Sequence, residues 1–293
     1  AIGLDLVLID HQVSSSVGAF SGTTDSAPGI VPVPTVGWVH HIHDSAFTVG
    51  MGVGGVAGLK TNLAVDPTNP VLAPPPVGFG QISADGSFVQ LTPVLSYALN
   101  ETTSVAAGPV LTLGQVLIQP FVFNSPNAGG VYPSARTSGY HWGGGAQAGI
   151  YYTDNCWHFG ASVKSPAWME EFGFTSVDAV GGPRTLRANI DLPLIVSLGT
   201  AYSGYQDWIF ALDVRYFDWA NADGFGDPAT FDGTGALGGL DWSSVFSVSA
   251  GAIRSPSARR KGCRQLVRPT TSKAASARRA APRIVHPLGF LQR

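Results

Sequence analysis

Long hydrophobic runs are missing from this sequence. No stretch of 18 or more apolar residues occurs, which excludes a transmembrane helix. Helical periodicity is missing too: no 3.6-residue apolar repeat is sustained, and Gly or Pro interrupts most windows. Charge is scarce, at 12% of 293 residues against about 25% in typical soluble domains. Cysteine is nearly absent. Cys156 and Cys263 sit in different contexts and do not suggest a disulfide framework. The opening "AIGLDLVLID" lacks a basic n-region and a small-residue cleavage site, so it is not a signal peptide. The expectation is a chain whose signal has been removed, or one that starts inside a longer product. Acids are missing from the end. All 19 lie at or before Asp241, beside seven bases up to Arg254, whereas ten bases and no acid follow from Ser255 onward. The expected division is a β-body over 1–254 and a basic, disordered tail over 255–293.

What is present is a period of two. In "DWIFALDVRYFDWA", Trp208, Phe210, Leu212, Val214 and Tyr216 alternate with Asp213 and Arg215. That is a β-strand with one apolar and one mixed face. About ten such segments are expected, near 2–9, 33–43, 46–55, 87–99, 103–119, 139–153, 156–165, 187–202, 207–220 and 241–253. Tight turns at 43–45, 100–102, 154–155 and 203–206 alternate with long Pro/Gly/Asp-rich loops near 10–32, 56–86, 120–138, 166–186 and 221–240. Outer-membrane barrels segregate short turns and long loops to opposite rims in this way. Trp142 and Tyr152 bracket an outward face ten residues long, roughly 33 Å of strand or about 24 Å of height at 45° tilt. That is the height of an apolar band with aromatic rims. The fold class expected is therefore all-β, a transmembrane antiparallel β-barrel. On this reading Arg187, Asn189, Asp191, Asp213 and Arg215 face the lumen, with Arg187 and Asp191 on the strand next to Asp213 and Arg215. The rival readings are another class of outer-membrane barrel, such as a lipid-modifying enzyme or an adhesin, and a secreted soluble β-sandwich that binds a ligand.

Four stretches carry a family resemblance: "PVPTVGWVHHIHDSAFTVGMGVGGVAGL", "LTPVLSYALNETTSVAAGPVL", "GASVKSPAWMEEF" and "LPLIVSLGTAYSGYQDWIFALDVRYFDWA". In their order and spacing they resemble the FadL/TodX family of outer-membrane transporters for fatty acids and hydrocarbons, over about residues 30–253. The resemblance implies a 14-stranded barrel of which about ten strands are visible here, with an N-terminal hatch in the lumen. It implies passive, porin-like uptake of long-chain fatty acids or hydrocarbons across the bacterial outer membrane, with sideways exit through the wall. No cofactor and no nucleic acid are implied; the partners are the hydrophobic cargo, outer-membrane lipid and the barrel-assembly machinery. The chain departs from the family pattern at both ends. The Asn-Pro-Ala hatch segment is absent, which is expected of an N-terminal truncation. The final strand gives way to a tail expected to come from a frameshift in a GC-rich gene, or else to be a genuine basic tail.

Other constellations carry less. His40, His41 and His43 have no evident Cys or carboxylate cluster to complete a metal site, so no metal is expected. Ser162 and His158 share a face but lie about 13 Å apart along a strand, too far for a nucleophile–base pair, and no catalytic residue is expected. Glu170 and Glu171 read as a solvated loop. Loop 56–86, with "PTNPVLAPPPVGFG", is the best candidate for ligand capture through Val71, Leu72, Val77 and Phe79, joined by Trp168 of the Ser-Pro-aromatic loop. Lys60, Arg136 and Lys164 are the bases near loops that a carboxylate-bearing cargo could use.

Overall fold

A computed structural model describes residues 1–135, 138–178, 180–205 and 207–254. The expectations for Arg136 and for the tail from Ser255, frameshift included, fall outside the described residues.

One antiparallel sheet dominates. Its strands are β1 (Ile2–Leu8), β4 (Ile30–His41), β5 (Phe47–Leu63), β6 (Ile82–Ala98), β7 (Thr103–Gln119), β8 (His141–Asp154), β9 (Trp157–Lys164), β13 (Ile195–Tyr205), β14 (Trp208–Phe217) and β15 (Val245–Arg254), hydrogen-bonded in that order. The sheet curls into a part-barrel, with β1 and β15 as its two edges. Each named neighbour follows the last in sequence once the small hairpins are set aside. All short connections therefore fall on one rim and all long ones on the other.

The long connections are themselves folded. Strands β2 (Gln12–Val17) and β3 (Phe20–Asp25) form a hairpin in the first. The loop between β5 and β6 clasps this hairpin through Asn69, whose side-chain amide donates to the Val13 carbonyl (2.9 Å) and to Thr24 Oγ1 (3.1 Å). Thr24 Oγ1 in turn donates to Asp66 (2.6 Å). Hydrogen bonds from Thr24 and Thr68 hold the Asp66 carboxyl below its ordinary range. After β9 the chain makes β10 (Trp168–Met169), which adds to β8, and then the hairpin β11 (Phe172–Val177) and β12 (Pro183–Ala188). This hairpin turns inward. Phe172 and Phe174 are fully buried with Phe88, Phe121 and Leu186 and form the core of the molecule.

The outer face has no such cover. Trp38 on β4, Met51 on β5, Leu95 on β6, Leu111 on β7, Ile150 on β8, Val163 on β9, Leu198 on β13 and Leu212 on β14 are each 41–57% exposed. A continuous apolar belt across eight strands is far larger than a soluble monomer leaves in water. It matches the lipid-facing band of a barrel. At the short-turn rim it ends in aromatic pairs set by the register. Phe47 faces Tyr97 (ring centroids 4.9 Å apart), Tyr152 faces Phe159 (6.2 Å) and Trp157 faces Tyr202 (4.7 Å).

Two expectations are corrected. The segment 187–202 is not one strand. Arg187 belongs to β12, residues 189–194 cross the barrel mouth, and the wall resumes only at Ile195. Pro193 has no N–H to give a ladder, and Leu192 instead bridges to Ala167 (3.1 and 3.2 Å). Ile190 and Leu192, whose alternation with Asn189 and Asp191 would put them on the outward face of a single strand, are buried in the inner core. Second, Cys156 is disulfide-bonded; the other cysteine, Cys263, lies outside the described residues.

Candidate functional site

At the long-loop end the barrel holds a cavity of about 630 Å³. Two wall strands supply its floor: Ile82 and Ala84 from β6, Val116 and Ile118 from β7. Loops supply its roof, through Phe79, Phe123, Phe225, Phe231 and Leu237. Phe225 is locked in place by edge-on packing against Trp219 (4.8 Å) and by a tilted contact with Trp242 (4.8 Å). Gly224 sets the turn that delivers it. Its φ is +77°, and any Cβ there would stand 2.5 Å from the Asn189 carbonyl.

Few polar groups line this space. They include Gln119, Arg187, Asn189 and Asp227. Asp227 accepts from the Gly224 N–H (2.9 Å). Arg187 is ion-paired with Glu171 (2.5 Å). Asp191, at the same crossing, accepts from the Met169 N–H (2.7 Å). Burial raises the Asp191 carboxyl above its ordinary range, and Asp223 adds repulsion while the Met169 N–H opposes the shift.

Below the core lies an inner polar layer. Lys164 Nζ donates to Gln90 Oε1 (2.9 Å), and Gln90 Nε2 donates to Thr112 Oγ1 (3.1 Å). All three are at least nine-tenths buried. Arg215 on β14 reaches the same interior and repels Lys164. Opposite Arg215 stands Ser197, and opposite Asp213 stands Gly199. Among the described residues neither Asp213 nor Arg215 makes an ion pair.

The structure thus splits the expected lumenal set. Arg187 and Asn189 line the cavity and Asp191 sits beside it; Asp213 and Arg215 lie in the wall, on a strand that does not neighbour them. The proposed capture residues split as well. Phe79 lines the cavity. Leu72 is fully buried within its loop, Val71 is half-buried, and Val77 and Trp168 are exposed at 73% and 60%. Sequence reasoning missed Phe123, Ile190, Phe225 and Leu237, which come from separate loops and share no local pattern. It also missed the burial of Lys164, although Lys164 shares the parity of Ser162 and His158. Of the other bases expected near loops, Lys60 lies within β5 and pairs with Asp85 of β6 (3.6 Å). Glu170 and Glu171 are held rather than free: Glu170 accepts from the Trp142 N–H (3.2 Å) and Glu171 binds Arg187.

Folded long loops on one rim, an outward apolar belt and an interior cavity define a transmembrane antiparallel β-barrel. More particularly, the fold is that of the FadL-type channels. The chain is similar to a Pseudomonas aeruginosa FadL homologue, at 16% identity over 79% of this chain and 57% of that one, with a TM-score of 0.57. It is similar to the Ralstonia pickettii toluene transporter TbuX, at 14% identity over 86% of this chain and 72% of that one, with a TM-score of 0.58. The chain therefore spans a little over half the length of the first. No protein-family model and no curated protein matches it.

Proposed function

We propose that the chain is part of a bacterial outer-membrane channel for passive uptake of hydrophobic molecules, hydrocarbons or long-chain fatty acids. The observation that carries this is the apolar cavity roofed by long loops inside a wall whose outer face suits lipid. An apolar molecule crosses a polar surface layer poorly, and a protein-lined apolar path lowers that barrier. Outer-membrane lipid and the barrel-assembly machinery are the partners such a wall requires.

The cavity favours the neutral end of this cargo range. Arg187, its lining base, is already neutralised by Glu171, and Asp227 would repel a carboxylate. Hydrocarbons fit it better than ionised fatty acids do.

The test is binding of the neutral fluorophore N-phenyl-1-naphthylamine to the refolded chain in detergent. Toluene or hexadecane should displace it, and oleate at neutral pH should compete less well. Phe225→Asp should weaken binding about tenfold or more, since a buried Phe contributes roughly 1.5–3 kcal/mol. Unchanged affinity in that variant, in a protein that still folds, would remove the cavity from the mechanism.

A second reading has one observation behind it. Ser203 Oγ lies 3.2 Å from His158 Nε2, while the Tyr151 hydroxyl lies 2.7 Å from His158 Nδ1. A hydroxyl, an imidazole and an orienting group are thus in reach of one another near the short-turn rim. An outer-membrane lipid-modifying enzyme would show ester hydrolysis that Ser203→Ala abolishes.

A further inference from the structure

The charges around the cavity do not balance. Two ionised side chains line it, Arg187 and Asp227. Arg187 is paired with Glu171, so its charge is matched before any ligand arrives. Asp227 is held differently. Its Oδ2 accepts from the Gly224 N–H (2.9 Å), and among the described residues it enters no ion pair. That hydrogen bond fixes the carboxylate on the turn that carries Phe225 and leaves its charge in place. With Glu171 included, the cavity and its edge hold an excess of negative charge. Asp227 is exposed, so a cation beside it stays within reach of water and avoids the cost of full burial.

The rest of the lining suits a cation as well as a hydrocarbon chain. Phe79, Phe123, Phe225 and Phe231 surround the space, and the negative face of an aromatic ring attracts an ammonium group. Gln119 and Asn189 offer amide oxygens to an N–H donor. The approach has the same sign. The long connections and the strand ends that bear them, residues 9–29, 60–85, 120–140, 165–194 and 218–244, hold 13 of the 19 acids and only four bases. A mouth of one sign concentrates ligands of the opposite charge and repels carboxylates.

We propose that the cavity selects apolar molecules that carry a positive charge, protonated aliphatic or aromatic amines, over neutral or acidic molecules of the same size. This rests on the uptake reading above and names its cargo class. The apolar walls hold the hydrocarbon part, ring faces and amide oxygens meet the ammonium, and Asp227 supplies the counter-charge. Glu171 sets the preference from outside the lining, by cancelling the Arg187 charge that would otherwise attract a carboxylate.

The experiment uses three ligands with one apolar body: phenylbutylammonium, phenylbutanol and phenylbutyrate. Each competes with N-phenyl-1-naphthylamine for the full chain, refolded in uncharged detergent at neutral pH. At low salt the ammonium should compete about tenfold better than the alcohol, with the carboxylate weakest, and high salt should narrow the spread. Asp227→Asn keeps an acceptor for the Gly224 N–H and should cut the ratio of ammonium to alcohol affinity several-fold. Glu171→Gln frees Arg187 and should raise the carboxylate relative to the alcohol. Competition by the alcohol in the same sample shows that each variant has folded. Equal competition by ammonium and alcohol, or ratios that neither variant changes, overturns the cation preference and leaves uptake of apolar cargo standing. A wild-type chain that binds neither the probe nor any of the three ligands overturns the uptake reading itself.

Discussion

At the scale of single residues, the interior is governed by whether each charge has a partner. Arg187 has Glu171, which cancels the positive charge it would otherwise bring to the cavity. Lys164 has the Gln90 amide oxygen, which satisfies a buried ammonium without cancelling its charge. Among the described residues the Asp191 carboxyl has the Met169 N–H as its partner, and burial raises it. The sign follows from linkage. A raised native carboxyl binds its proton more tightly in the folded state, so it adds stability in acid. That contribution is lost as pH rises from about 4, the ordinary aspartate value, through the native one. Asp191→Asn keeps the acceptor for Met169 and removes the titration. Thermal unfolding should show a slightly more stable variant at pH 7, with a flatter stability profile over that interval. A variant with the wild-type pH profile would mean that Asp191 is not the group responsible.

At the scale of strands and loops, the chain is legible wherever one period meets one neighbour. All ten wall strands and the alternation of short and long connections could be read from the sequence, because apolar alternation and Gly/Pro/Asn turns are local signals. The break after Arg187 could not. Ile190 and Leu192 keep the parity of Val196 and Leu198, and period two does not reveal whether an apolar side chain meets lipid or a core. The inward hairpin of β11 and β12 was hidden for the same reason. The face assignment of β14 has its own test. Leu212 lies in the outer belt, 45% exposed, and an Arg at mid-depth costs about 2–4 kcal/mol on a lipid face. Leu212→Arg should abolish membrane insertion, read as loss of the mobility difference between boiled and unboiled samples on a denaturing gel. Normal insertion would reverse the two faces of the strand.

At the scale of the whole molecule, the candidate site is an assembly of distant parts. Phe79, Phe123 and Phe225 come from three separate loops, and Gln90 and Lys164 from strands 74 residues apart. No window of sequence contains them together, so their meeting depends on the curl of the sheet and not on any motif. Pro93 of β6 stands opposite Pro109 of β7 between two paired blocks, where neither has an N–H to give, and this gap in the ladder sets a further property of the sheet, its behaviour under mechanical load. A barrel pulled by one end in a lipid bilayer gives up its strands as hairpins. In the β7–β8 hairpin the ladder is unbroken from Thr103 to Gly114 and should tear in a single event. In the β6–β7 hairpin the ladder is two blocks, Ser83–Leu91 and Leu95–Ala98, and these should tear separately. Force spectroscopy on the inserted protein would register that as an added rupture step, absent once Pro93 and Pro109 are replaced.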